Sequence, residues 1–487
     1  MLRKVSFDFG LDKGRMAKIF SESHLRCITI TSFIVACMAK FWIGSVFIFN
    51  VYSLALKHTF NYTQGDVDMM ASMQHFGFHF ALPAGIVQDT FGPTITSGIG
   101  SILTSTGYLL LWSSTKNIEF YTSKPGLLKL YFFMIGLGVS FTYMAALTTT
   151  ISNFTSKHRV QALAILESFL GVGAFVFSLL YAVVFTNGHI YDEQNQNWSD
   201  FIMMLTIGSS IANCCCVAFL RIVPQSDDSD GEIETTDENE LKDIFDETRD
   251  ASESTELFHH ENAERSNKPP IYKLIKESWL DFKRTFITKN FQIMLWLSSI
   301  IPQVGFVYLI NITAILKSAG LQSYNGIFTI LCPIAEMLAR AILAVIAQLL
   351  KAKLKKPILF LITNMGFVVG QGLLISLGTN LAALHTVNIV MSMARSCSFV
   401  LIVAILSDMF CQKKFGRIWG FILLVSTIFS FLYPMIFGLV YDAHTKIGDV
   451  DCSGLACTQL TFIFTSVFTF AALILNVVLI IDTLRIT

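Results

Sequence analysis

The chain has 487 residues, of which 53% are hydrophobic and only 14% charged, and its mean hydropathy is +0.58. A water-soluble protein of this length has no need of so much apolar surface. Its 35 basic and 35 acidic side chains cancel, so the basic surplus that marks a nucleic-acid partner is missing.

In chain order, the first 26 residues are mixed and basic, without the short apolar core and small-residue cleavage site of a secretory signal. The first apolar run is therefore expected to act as the targeting signal. Twelve runs follow, each near the ~20 residues that cross a bilayer. Six lie at 28–56, 66–88, 93–113, 127–150, 160–185 and 200–222. Six more lie at 289–317, 324–350, 356–378, 382–408, 416–440 and 459–483. The predicted organisation is a terminal segment at 1–27, a first six-helix unit at 28–222, a linker at 223–288 and a second unit at 289–487.

Charge placement gives an expected orientation. With both termini in the cytosol, the cytosolic segments hold 26 of the 35 Lys and Arg residues, the opposite segments hold six, and three lie inside spans. The sequons at Asn61 and Asn197 then face away from the cytosol, where glycosylation is possible, although Asn61 lies close to the membrane; a third, at Asn153, faces the cytosol and is expected to stay silent. Cys452 and Cys457 fall on the oxidising side and are predicted either to form a disulfide or to remain two thiols. Cys214, Cys215 and Cys216 read as packing residues, with lipidation as the alternative.

Within the linker, residues 226–264 hold 16 of the 35 acids and many Ser and Thr, the composition of a disordered segment. Beyond Pro269-Pro270 the apolar positions Ile271, Leu274, Ile275, Trp279, Phe282 and Phe286 recur at helical spacing with Lys and Arg between them. That pattern predicts an amphipathic helix on the inner membrane surface.

Ionisable side chains inside a span cost several kcal/mol unless a cavity or a partner receives them, at roughly 2.5–3.5 kcal/mol or more each. Lys40, Glu167, Glu336, Arg340 and Arg395 are the informative ones. Glu336 and Arg340 are one turn apart, close enough to pair along a helix. Lys40 and Glu167 lie at similar depth and are predicted either to pair with each other or to act separately. Arg395 has no acid near it in sequence. Arg395 and Lys40 are expected to hold an anionic substrate, since guanidinium grips carboxylate with two bonds. Asn50, Gln303 and Asn311 are candidate hydrogen-bonding residues of the same cavity, and Glu336, Arg340 and Glu167 are candidates for proton coupling. Pro302 and Gly305 are expected to let span 7 bend. His75 and His79, one turn apart, read as packing or cavity polarity more readily than as metal ligands, because no Cys or acid joins them. No phosphate-cradling loop or nucleophile–base set stands out, so neither cofactor nor metal is expected and enzymatic chemistry is disfavoured.

Between spans 2 and 3 stands Gly85-Ile-Val-Gln-Asp89-Thr-Phe-Gly92. Gly85 permits close backbone approach, Gly92 permits a turn, and Asp89 is expected to close a cytosolic gate against helix N-termini, the alternative being a solvated turn acid. This loop resembles the signature loop of the major facilitator superfamily, with Thr90 and Pro93 where that family usually has basic residues. Several further stretches resemble the nodulin-like branch of the superfamily, itself similar to monocarboxylate porters. They are Phe49-Asn50 through Lys57, Asn153-Phe154 with Arg159, Gly171 and Gly173, Ser407-Asp408-Met-Phe410, Gly438 through Asp442, and Cys452 with Cys457. The resemblance implies an all-α integral membrane fold of twelve transmembrane helices in two pseudo-symmetric six-helix bundles around a cavity. It also implies alternating-access transport of a small solute. The acid and arginine of span 8 match the spacing in monocarboxylate porters; their helix-1 lysine aligns with Asn50, and the nodulin-like counterpart of Glu167 is often basic.

The expected function is therefore secondary-active transport of a small organic anion, monocarboxylate-like and with a proton as candidate co-substrate, by a monomeric unit in the plasma membrane or an endomembrane. Two alternatives stay open: an amino-acid transporter of the same fold, with Glu167 reading the amine, and a non-transporting sensor or scaffold signalling through the acidic linker.

Overall fold

A computed structural model describes residues 22–62, 64–186, 196–223, 282–350, 355–445 and 452–485. The chain is a bundle of long helices. Among the described residues ten helices are long and apolar enough to cross a membrane. Spans 2 and 3 bring the number to twelve, and each misses the composition rule for a physical reason. Span 2 is split into Gln64–His79 and Leu82–Phe91. Pro83, in the first turn of the second piece, cannot donate a backbone bond, and the chain steps aside at residues 80–81. Span 3, Pro93–Ser114, dilutes its apolar content with Ser, Thr and Gly. Those small residues let it lie directly on span 4, Pro125–Asn153: Gly100 meets Thr142, and Gly138 meets Thr104. Thr142 also donates to Asn213 of span 6 (2.9 Å), and Ser105 pairs with Ser210 (2.7 Å).

Span 1 runs as Glu22–Ile43, a tighter turn at Gly44–Ile48, and Phe49–Phe60. Span 5 is Ser156–Leu180 and span 6 Trp198–Phe219. In the second half the spans are Lys289–Ile310, Asn325–Leu350, Lys356–Leu377, Leu381–Met409, Phe415–Ala443 and Ala456–Arg485. Spans 1–6 pack as one six-helix bundle and spans 7–12 as the other. The large buried side chains fill both: Tyr52, Tyr108, Phe132 and Phe201 in the first, Phe291, Tyr308, Trp419 and Tyr433 in the second.

Three expectations change. The stretch from Gly85 to Phe91 is helical rather than a loop, and the turn is Gly92 alone, at φ +80°, a left-handed conformation that glycine adopts without strain. Span 7 is not broken at Pro302 or Gly305; it stays helical to Ile310 and breaks at Asn311. Residues 271–281 of the amphipathic helix lie outside the described residues, as do 226–264. The remainder, 282–287, is helical, but Phe282 and Phe286 lie on protein rather than lipid. Phe282 packs against Phe291 and Phe421 with ring centroids 6.0 and 5.3 Å away, and Phe286 against the same two at 5.7 and 5.6 Å. At the other end of the linker, the Val223 amide donates to Asn153 (2.9 Å), and Ser32 bonds the backbone of Arg221.

The bundles meet where spans 2 and 11 cross. Gly85 lies against the backbone of Gly416, and Gly420 against Ala81 and Leu82, so the two helices touch main chain to main chain. A β-carbon at residue 85 has no room there. Gly85→Val is expected to destabilise the protein by ~1–3 kcal/mol through overpacking. Gly98→Ala, which enters open space, should be neutral or stabilising by up to ~1 kcal/mol. Thermal unfolding of the purified variants checks this, and equal midpoints for the two would refute the crossing.

Candidate functional site: a charged chain between the bundles

Lys40 projects from span 1 and Glu167 from span 5, and Lys40 Nζ lies 2.6 Å from Glu167 Oε1. The ammonium also sits over the Tyr143 ring, 3.2 Å from its centre, and the Tyr143 hydroxyl donates to the same carboxylate oxygen at 3.3 Å. A cation over an aromatic face gains further stabilisation where water is excluded, and Lys40 is fully buried.

On the other side, Arg340 of span 8 pairs with Glu336 one turn earlier at 3.5 Å. Its Nη1 then crosses between the bundles to donate to the backbone carbonyl of Glu167 at 2.9 Å. Arg395 of span 10 binds Glu336 from the opposite side. Five charged groups from four helices thus form one chain in the order Lys40, Glu167, Arg340, Glu336, Arg395, three positive and two negative. Their side chains are at most 8% exposed except Arg395, at 26%.

Gly305, on span 7, is what admits Arg395: a β-carbon there would stand 2.9 Å from Arg395 Cβ and 3.0 Å from its Cδ. The glycine makes a slot for the arginine. Around Glu336, Ser396 donates to its backbone carbonyl (2.9 Å), and Cys332 lies 3.0 Å from Ser392, fastening spans 8 and 10 together.

The other candidates distribute unevenly. Gln303 is buried on span 7. Asn311 spends its amide on Val307 of its own helix (2.9 Å). Asn50 falls in the helical part of span 1, but its side chain lies outside the described residues. The His75 ring lies 5.8 Å from both Phe47 and Phe306, so span 2 reaches span 7 through aromatic contact. Among the described residues no group of His, Cys, Asp and Glu is arranged to hold a metal ion. Asn61 ends span 1 in a left-handed turn, and Asn197 caps span 6, both at the end of the molecule where Cys452 and Cys457 are joined by a disulfide.

The opposite end is closed by two ionic clusters. Asp89 accepts from the amides of Gly416 and Arg417, both at 2.8 Å, and from Arg417 Nε at 3.0 Å. These amides open span 11, where unpaired N–H groups and the helix dipole favour an anion. In the second cluster Asp408 receives Arg159 Nη1 at 2.7 Å, Ser156 at 2.9 Å, and Lys356. Sequence reading quoted Arg159 and Asp408 without assigning them a partner. It overlooked Tyr143, Lys356 and Arg417 because their roles depend on neighbours far along the chain.

Comparisons with known proteins bear on this architecture. Residues 30–245 match the Nodulin-like family. The chain is 21% identical over 452 residues to the probable transporter MCH1 of Wickerhamomyces anomalus, covering 91% of this chain and 85% of that one. It is 22% identical to the protein of the same name from Debaryomyces hansenii, covering 94% and 92%. In structure it resembles the transporter FucP in its outward conformation, with a TM-score of 0.62, 13% identity, and 92% and 99% of the two chains covered.

The chain has the fold of the major facilitator superfamily.

The proton:xylose symporter XylE, a second superfamily member, aligns with a TM-score of 0.61 at 12% identity over 91% and 95% of the chains. That fold, with ten described helices long and apolar enough to cross a membrane, makes the chain a multi-pass membrane protein.

Proposed function

We propose that the chain is a secondary-active transporter of a small organic anion, monocarboxylate-like, that works by alternating access and couples to a proton. The observation that carries this reading is Arg395: it alone in the charged chain keeps a sizeable exposed surface, and the chain it ends, which crosses between the bundles through Arg340, has one positive charge in excess. A carboxylate entering there meets a planar two-pronged donor and completes the charge balance. Gln303 and Asn50 belong to the same proposed cavity, with Asn311 at its edge, and Glu336, Arg340 and Glu167 are the proposed proton-linked groups. The amino-acid alternative needs Glu167 for an amine, and that carboxylate is already held by Lys40 and Tyr143.

The same reading takes the end that carries Asp89 as cytosolic, with both termini there and with Asn197, Asn61 and the disulfide facing away. Gly85, Asp89 and Gly92 then form the cytosolic gate, joined by Arg159, Lys356 and Asp408. The unit is a monomer in the plasma membrane or an endomembrane.

The test is uptake by the purified protein in liposomes with an inward proton gradient. Lactate-like acids should accumulate and compete with one another, and neutral sugars and amino acids should not. Accumulation of amino acids alone would overturn the anion assignment.

A further inference from the structure

The two buried carboxylates are not equivalent. Glu336 lies between two guanidiniums, Arg340 and Arg395. Glu167 has one cation within ion-pair distance among the described residues, Lys40, while Arg340 binds its backbone carbonyl. The groups facing Glu167 are Lys40 and Cys37 from span 1, Tyr143 from span 4 and Arg340 from span 8. Neutralising Glu336 would leave two guanidiniums without an anion. Neutralising Glu167 leaves one ammonium, and that ammonium is on a flexible four-carbon stem that can move.

We propose that Glu167 is the proton-binding carboxylate of this carrier and that Lys40 is an anion ligand held in reserve, set free when Glu167 takes up a proton. The inference rests on the anion-transport reading and specifies its chemistry. One proton adds to the Glu167 carboxylate and forms the acid; Lys40 keeps its own proton and its charge. A buried cation stripped of its partner is strongly unfavourable, so Lys40 leaves the Tyr143 face for the substrate carboxylate. One proton and one anion enter together, and the surplus charge of the chain does not change. Tyr143 is the positioning residue: its ring holds the ammonium and its hydroxyl holds the carboxylate, so both partners wait in register. Arg340, hydrogen-bonded to the backbone of the same glutamate, passes the change to the second bundle.

Infrared difference spectroscopy of the purified protein, from neutral to acid pH, reads carboxyl protonation without any substrate. The expected result is a carboxylic C=O band present in wild type and missing in Glu167→Gln. Subtracting the two difference spectra removes the signal of surface and linker acids. The same subtraction with Glu336→Gln should be flat in that band. Because Glu167→Gln leaves Lys40 buried without an anion and can fold poorly, the double variant Lys40→Gln/Glu167→Gln serves as the second test and should also lack the band. A band that survives in the Glu167 variants, or that disappears with Glu336→Gln, overturns the proposal. Gradient-driven lactate uptake on the same samples separates the two readings. If wild type moves no carboxylate, the anion assignment and the release of Lys40 to substrate fall, whereas the infrared band still decides which carboxylate takes the proton.

Discussion

Arg395→Ala is expected to abolish substrate accumulation while the protein still reaches the membrane. Two losses combine. The substrate loses its bidentate donor, and Glu336 loses one of its two guanidiniums. Truncating one member of a buried, hydrogen-bonded charge pair costs ~2–5 kcal/mol, or roughly thirty-fold to a few thousand-fold in binding. Arg395→Lys should recover little, because an ammonium cannot reproduce the flat two-pronged contact and the Gly305 slot fits the arginine stem. The check is initial uptake rate normalised to surface expression. Normal uptake by Arg395→Ala would remove the residue from the substrate site.

The second large effect is expected at Asp89. Its Oδ1 accepts one backbone amide and its Oδ2 accepts a backbone amide and a guanidinium nitrogen. An asparagine has to place an NH2 group against donors on one of those sides, so Asp89→Asn breaks at least one bond and removes the charge from the others. Hydrogen bonds to charged groups contribute ~1.5–3 kcal/mol each, and losing one shifts the balance between the closed and open forms of this end by about ten- to a hundredfold. The maximal rate should therefore drop by about tenfold or more, while the substrate concentration for half-maximal rate changes little, since Asp89 is bound to Gly416 and Arg417 and lies outside the charged chain that holds Arg395. Unchanged turnover in Asp89→Asn would exclude it from the gate.

How much was readable beforehand depends on sequence distance. The twelve spans follow from apolar runs and their punctuation by Pro, Gly and caps, which are local properties. Asp89 was legible for the same reason: an acid where a helix ends, followed by a glycine, points to helix N-termini nearby. The pairing of Glu336 with Arg340 lies within one turn of one helix. Arg395 and Glu336, by contrast, are 59 positions apart on different helices, and no periodicity links them. The space Gly305 leaves for Arg395 was hidden because a glycine near a proline suggests a break in isolation; only the neighbouring span shows that an arginine stem needs the space. Phe282 and Phe286 were misread because an amphipathic face looks the same whether lipid or protein covers it.

The two ends of the linker carry a consequence of their own. Val223 is fastened to span 4 through Asn153, and Phe282 is wedged against Phe421 of span 11. One anchor therefore rides on each bundle, and any rocking of the bundles changes the separation of residues 223 and 282. The chain joins these two points covalently, so shortening it far enough would make it a leash on the stroke. Fluorophores attached at the two anchor points would turn that leash into a gauge of the working cycle.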